Sequence, residues 1–280
     1  MYQDAATPPP VRSNRPWLLA LLAVAVLGLV AVLVVAALQP GRTVSGIALP
    51  ADQYGPQDTA TKPPSTTTTT TTTTAPKSVT PALTPGWQTA YSITRNATYD
   101  VPPDWTVPTP TTIVGFESGS KQVVMSGAAT YQEKACGKYH PHAISGVTGS
   151  TLADVSAAAK ATADNWSKVA AADDDRPDAQ ISLSPVETLT VQGKPAAHVT
   201  ATLTNPAPYD CEHPTTSVLH VLAVPGNNGQ SVVMVIQADQ GIAGALTDTT
   251  IRGMLTTLRP AGLKATDCKQ DRDVVGTWCG

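Results

Sequence analysis

Five residues that bind metals or form disulfides fall in two short stretches of the sequence. The first stretch contains Cys136, His140 and His142, and the second contains Cys211 and His213. Thiolate and imidazole suit zinc and copper, so two loops that meet in space would offer five ligands to such an ion. This pattern raises the hypothesis of a transition-metal site.

Cysteine usage favours a different interpretation of the same stretches. The chain contains four cysteines, and the other two are Cys268 and Cys279. All four cysteines follow the predicted membrane segment described below and would lie outside the cell membrane, where an even number of cysteines predicts disulfides. Four cysteines allow three pairings. We favour the pairs Cys136–Cys211 and Cys268–Cys279, with no bound metal ion.

The histidines remain after the cysteines are paired. His140, His142 and His213 are weak candidate metal ligands, because imidazole can bind a metal ion even when the cysteines are paired. His198 and His220 fall within strand patterns. We interpret these two as hydrogen-bonded or face-exposed strand residues.

The common catalytic motifs are missing from the sequence. It contains no Gly-x-Ser-x-Gly elbow, no phosphate-binding loop and no His-Glu-x-x-His pair. We therefore predict no catalytic residue and no cofactor. The acids of glycoside hydrolases need no local motif, so a hydrolase with an unmarked site stays the alternative.

Paired strands are predicted to position these side chains. Two hairpins stand out: Val186–Val191 with Ala196–Leu203, and Ser217–Val224 with Ser231–Ala238. Val232 to Ile236 form a continuous apolar run, which is typical of a central strand buried on both faces. Earlier in the chain we expect extended segments at 87–93, 98–101, 105–107, 112–116 and 121–130.

Two helices are predicted between and after these strands. The longer covers 151–171, with Thr151 and Asp154 forming a capping box and with Trp166 facing the core. The shorter starts at Thr247 or Asp248 and ends before Pro260. Hairpins with one inserted helix and one final helix predict an α+β fold with an antiparallel sheet.

A membrane anchor is predicted near the start of the chain. Trp17–Leu38 is an uncharged apolar run, and as a helix of about 33 Å it would cross a hydrocarbon core of about 30 Å. Arg12 and Arg15 before the run, against Arg42 after it, place the N-terminus in the cytoplasm. A cleaved signal peptide with a site at 35–37 is the competing interpretation.

The composition divides the chain into four parts. Residues 1–16 form a cytoplasmic tail and 17–38 the transmembrane helix. Residues 39–85 form a disordered linker rich in Pro and Thr, with a continuous threonine tract at 66–74. Residues 86–280 form the extracytoplasmic α+β domain. The low charged fraction of 14% and the net charge of −3 offer no basic stripe, so nucleic acid is excluded as a partner.

Several packing and turn residues resemble those of a known group. They are Val101-Pro102-Pro103-Asp104-Trp105, the helix with Trp166, Gly193-Lys194-Pro195-Ala196, and Ile251-x-x-Met254-Leu255-x-Thr257-Leu258-Arg259-Pro260. The pattern resembles PsbP-like lipoproteins and membrane-anchored domains of actinobacterial envelopes. This resemblance implies an α/β/α sandwich with an antiparallel sheet, in a protein whose envelope role is unknown or non-enzymatic. The chain differs from the lipoproteins because it has no cysteine beside its membrane segment to carry a lipid.

Taken together, the sequence favours a single-pass membrane protein with one domain displayed outside the cell membrane. We expect this domain to bind an envelope component or a protein partner without catalysing a reaction. The alternative is an envelope hydrolase or carbohydrate-active enzyme.

Overall fold

The computed structural model describes residues 80–135, 140–172, 178–208, 211–264, 267–268 and 274–279. The strands in this part are β1 (Gln88–Ser92), β2 (Ala97–Val101), β3 (Trp105–Thr106), β4 (Ile113–Ser118), β5 (Lys121–Tyr131), β6 (Ala143–Ser150), β7 (Gln180–Leu183), β8 (Glu187–Val191), β9 (Lys194–Thr204), β10 (Thr216–Pro225), β11 (Ser231–Gln240) and β12 (Arg259–Pro260). The helices are α1 (Val155–Ala171) and α2 (Asp248–Leu255). The expected α+β class with an antiparallel sheet is confirmed.

A large antiparallel sheet forms the centre of the domain. Its strand order is β3-β5-β6-β11-β10-β9-β7, with β4 paired to the first half of β5 and β8 paired to the first half of β9. A second, three-stranded sheet has the order β1-β2-β12. The β8–β9 hairpin turns through Gln192 and Gly193, whose φ angles of 47° and 74° suit a two-residue turn between twisted strands.

The central strands are buried on both faces, as the apolar run in β11 predicts. Val232, Met234 and Ile236 point to one core cluster, and Val233 and Val235 point to another on the opposite face. All five side chains are fully buried. The alternation follows from the two-residue period of a strand.

Helix α1 covers one face of the large sheet. Trp166 is buried there and meets Phe116 edge-to-face with ring centroids 6.1 Å apart. The helix starts later than predicted, because Asp154 is the N-cap and its side chain accepts from the backbone N–H of Ala157 at 2.6 Å. Leu152 therefore lies before the helix and is 40% exposed, so the predicted start at Thr151 is wrong.

The small sheet and helix α2 cover the other face. Thr247 caps α2, and Ile251, Met254 and Leu255 face the core as their spacing predicts. Behind them, Arg259 Nη2 lies 2.9 Å from Asp100 Oδ1 in a buried ion pair. A buried ion pair is weak evidence of added stability, because removing both charges from water costs free energy.

The predicted anchor at 17–38 and the predicted linker, except for 80–85, lie outside the described residues. Within the described part of the chain, the helices are too short and too polar to span a membrane.

Candidate functional site

Three titratable side chains meet on adjacent strands of the large sheet. The β8–β9 register pairs Glu187 with His198, and the β9–β10 register pairs His220 with Thr200, two residues along from His198. The side chains of His198 and His220 are only 3% and 5% exposed. We call this set of three side chains, Glu187, His198 and His220, the histidine relay.

The relay is held together by two hydrogen bonds. His198 Nδ1 lies 3.2 Å from Glu187 Oε2, and His198 Nε2 lies 3.2 Å from His220 Nδ1. The two imidazole planes differ by 9° and their centroids are 5.3 Å apart. The distance between the ring centroids is close to the sum of the hydrogen-bond length and the radii of the two rings. The rings therefore meet edge to edge and lie in nearly one plane.

Helix α2 fixes the carboxylate end of the relay. Arg252 Nη1 donates to both oxygens of Glu187, at 3.2 and 2.9 Å. Arg252 Nε donates in turn to Asp248 Oδ2 at 2.8 Å, one turn earlier on the same helix. Hydrogen bonds from Arg252 and then His198 lower the pKa of Glu187, which therefore carries a negative charge near neutral pH.

The charge of Glu187 sets the tautomers of both histidines. Burial lowers the pKa of His198, and burial together with the neighbouring His198 lowers the pKa of His220 to about 4. Because an ionised carboxylate can only accept, neutral His198 donates from Nδ1 and accepts at Nε2. His220 then donates from Nδ1 and keeps a lone pair on Nε2. The relay therefore ends in an imidazole that can accept a proton or a hydrogen bond.

The two stretches that suggested a metal site are joined by a different contact. His142 is buried, and its Nε2 lies 2.5 Å from Glu212 Oε2, so the loop after β5 is linked to the loop before β10. His142 Nδ1 is also buried and has no hydrogen-bond partner among the residues that the structure describes. His213 is exposed and His140 is half-buried.

A metal centre finds no support in the described part of the chain. There, no three His, Cys, Asp or Glu side chains gather closely enough to hold an ion. Cys211 is disulfide-bonded, and Cys136, its expected partner, lies outside the described residues. The other expected disulfide is present: Cys268 and Cys279 are joined, with their Cα atoms 6.0 Å apart.

Strand β4 presents an open edge. Among the described strands it pairs only with β5, so its other edge has no strand partner. On its outward face Ile113 is 57% exposed, and Val124 of β5, paired with Gly115, is 42% exposed. A shallow cavity of about 240 Å³ lies over this hairpin. We call this surface the β4 edge.

Comparisons with known proteins give a family and a weak structural likeness. Residues 80–263 match the family described as "Domain of unknown function (DUF8017)". The crystal structure of Saccharomyces cerevisiae Ran-binding protein Mog1p is 10% identical, with a TM-score of 0.35, and the match covers 62% of this chain and 95% of that one. A likeness with this TM-score carries no argument about function. No curated protein matches the chain.

Proposed function

The chain belongs to the DUF8017 family, and on the geometry of its surface we propose that it is a membrane-anchored extracytoplasmic envelope module that binds a protein partner and is not an enzyme. Its anchor would be the apolar run Trp17–Leu38, with residues 39–85 as the spacer. The observation that carries the proposal is the β4 edge, where one side of the strand has no partner among the described strands and exposed apolar side chains lie beside it.

An open strand edge offers unpaired backbone donors and acceptors to a partner strand. Natural edges are often protected by charged side chains, proline or a bulge. Of the outward residues of β4, Ile113, Gly115 and Glu117, only Glu117 is charged. The partner that fits this surface is an extended segment. It would bring apolar side chains to Ile113 and Val124 and a basic side chain to Glu117.

Site-specific crosslinking in intact cells tests this proposal. A photo-reactive residue at Ile113 is expected to give one discrete adduct, because the partner strand would lie directly against that position. The same residue at Lys160, on the exposed side of α1, is the matched control and should give none. Val124→Lys should abolish the Ile113 adduct. Equal adducts at both positions, or none at Ile113, would reject a binding role for the β4 edge.

Membrane anchoring needs a separate measurement. A reporter that is active only outside the membrane, fused after residue 280, should be active and should remain in the membrane fraction at high salt. Release of the reporter from the membrane would favour cleavage at 35–37 instead of an uncleaved anchor.

The histidine relay favours a second candidate, an envelope hydrolase. A carboxylate that orients a histidine is a recurring arrangement in acid–base catalysis, and here Glu187 orients His198, which in turn leaves a lone pair on His220 Nε2. We rank this candidate second because a pKa of about 4 makes His220 a weak base near neutral pH. Hydrolysis of a model ester that is lost in His220→Ala and retained in His142→Ala would support it.

A further inference from the structure

The segment Val274–Cys279 lies in a groove at one end of the domain, outside the residues that match the family. The groove is formed by the β1–β2 turn around residues 93–96, the β10–β11 turn around residues 225–230, and the end of β6 near Gly149. We call it the rim groove. All of its walls belong to the matched domain, whereas its occupant does not.

The groove binds carbonyl groups of the segment. The backbone N–H of Asn227 donates to the carbonyl of Thr277 at 2.8 Å, and its side-chain Nδ2 donates to the carbonyl of Cys279 at 3.1 Å. Asn96 Nδ2 donates to the carbonyl of Trp278 at 3.2 Å. Three successive carbonyls are therefore bound by two asparagines.

The groove also accepts hydrogen bonds from backbone N–H groups of the segment. Trp278 N–H donates to the carbonyl of Arg95 at 2.9 Å, and Gly276 N–H donates to Gln230 Oε1 at 2.7 Å. Arg95 Nη1 donates to the carbonyl of Val275. Hydrogen bonding to both the carbonyls and the amides of a main chain is one of the ways in which proteins bind peptides.

Two glycines allow the segment and the wall of the groove to lie very close together. A Cβ at Gly276 would collide with the backbone of Ser231 and with Gly149, and its φ of +68° also favours glycine. A Cβ at Gly149 would collide with the carbonyl of Val275. The wall and the occupant thus both use glycine where they meet.

Trp278 is the anchor of the segment. Its indole is 9% exposed and packs against the core cluster on the α2 face of the large sheet, and its Nε1–H donates to the carbonyl of Pro225 at 2.8 Å. A buried aromatic ring with its polar atom satisfied is typical of a residue that dominates a peptide interface.

We propose that the rim groove is a peptide-binding site of this domain, that its ligand is a segment containing Gly-Thr-Trp that bends at the glycine, and that the chain's own residues 274–279 are that ligand. The Cys268–Cys279 disulfide tethers the ligand beside its site. Tethering raises the local concentration of the segment, so a free peptide competes only after the tether is opened.

The test uses the full chain with a specific protease site placed between Cys268 and Val274. After cleavage and mild reduction, a labelled peptide with the sequence of residues 274–280 and the change Cys279→Ser is added in excess. We expect the cleaved, reduced chain to take up one labelled peptide per molecule. The uncleaved, oxidised chain should take up none.

Two variant peptides and two variant chains provide the controls. The Trp278→Ala peptide should bind at least about 30-fold more weakly, whereas Val274→Ala, at a half-buried position, should bind like the parent. A chain with Gly149→Ala should lose uptake because the added Cβ occupies the path of the segment. A chain with Ile113→Lys should bind the peptide normally, which separates the rim groove from the β4 edge.

Two outcomes would overturn the proposal. In the first, the original segment leaves after cleavage and reduction but the labelled peptide does not enter. In the second, the segment never leaves, even in a large excess of labelled peptide. Residues 274–279 would then be a permanent part of the core instead of a bound ligand.

Discussion

The rim groove and the β4 edge are two margins of the same domain, and they differ in what covers them. In the rim groove the chain's own segment 274–279 satisfies the backbone and buries Trp278. At the β4 edge no described strand pairs with the outer side, and Ile113 is exposed. From this difference we expect stability to depend on the first margin, and we propose that a partner covers the second.

The largest expected effect is at the anchor of the rim groove. Trp278→Ala removes a buried indole and leaves a cavity, so we expect the free energy of unfolding to fall by about 3 kcal/mol or more. Val124→Ala, on β5 of the β4–β5 hairpin, is the matched control and should change the free energy of unfolding by less than about 0.5 kcal/mol. Urea unfolding of both variants measures the contrast. Equal losses would mean that the two margins do not differ.

Removal of the tether should have the next largest effect. The double variant Cys268→Ser with Cys279→Ser removes a crosslink between residues that are 11 positions apart in the sequence. We expect the free energy of unfolding to fall by about 2–3 kcal/mol, because the unfolded chain gains conformational entropy. Thermal unfolding with and without reductant measures it. Reductant should shift the melting temperature of the parent chain more than that of the double variant, and an equal shift in both would contradict the assignment.

Acid offers a way to weaken the domain without changing either margin. Burial lowers the pKa of His198 and of His220, the latter to about 4, below the usual value near 6.5. The unfolded chain therefore binds more protons than the folded chain between these values. The stability contributed by neutral His220 is complete above about pH 6.5 and is lost as the pH falls toward 4.

The expected size of the acid effect is about 2 kcal/mol lost between pH 7.5 and pH 5 for His220. Urea midpoints at the two pH values provide the measurement. His220→Gln should remove most of the difference, whereas His213→Gln, at an exposed position, should leave it as in the parent. A variant at His220 with unchanged pH dependence would show that the relay is not buried in its neutral form.

The smallest effect on stability is expected at the β4 edge itself. Ile113→Lys places a charge on a side chain that is already 57% exposed, so the free energy of unfolding should change by less than about 0.5 kcal/mol. The same change should prevent the pairing of a partner strand. A large destabilisation measured by urea unfolding would mean that Ile113 is covered in solution and that the edge is not open.

Much of the fold follows from local sequence patterns. The β10–β11 hairpin, the doubly buried β11, helix α2 and Trp166 in the core were predictable because periodicity and turn residues agree there. Strands β6 and β7 were missed: β6 contains two glycines and polar residues, and β7 is short and mostly exposed. Both are strands because their neighbours in the sheet pair with them, which local propensity does not record.

The histidine relay was only partly within reach of the sequence. Counting outward from the Gln192-Gly193 turn places Glu187 opposite His198, so that contact could have been predicted from the hairpin. The place of His220 depends on the β9–β10 register. A long connection joins these strands, and unlike a tight turn it does not fix their register. The contact of His142 with Glu212 depends on two loops and had no local signal.

Residue-resolved amide hydrogen exchange of the oxidised full chain compares the two margins most directly. We expect slow exchange for the N–H groups of Gly276 and Trp278, which donate to the rim groove. We expect fast exchange for every second amide of β4, on the side that has no partner among the described strands. Fast exchange of Gly276 and Trp278, or slow exchange throughout β4, would contradict the central claim that one margin is filled by the chain and the other is open.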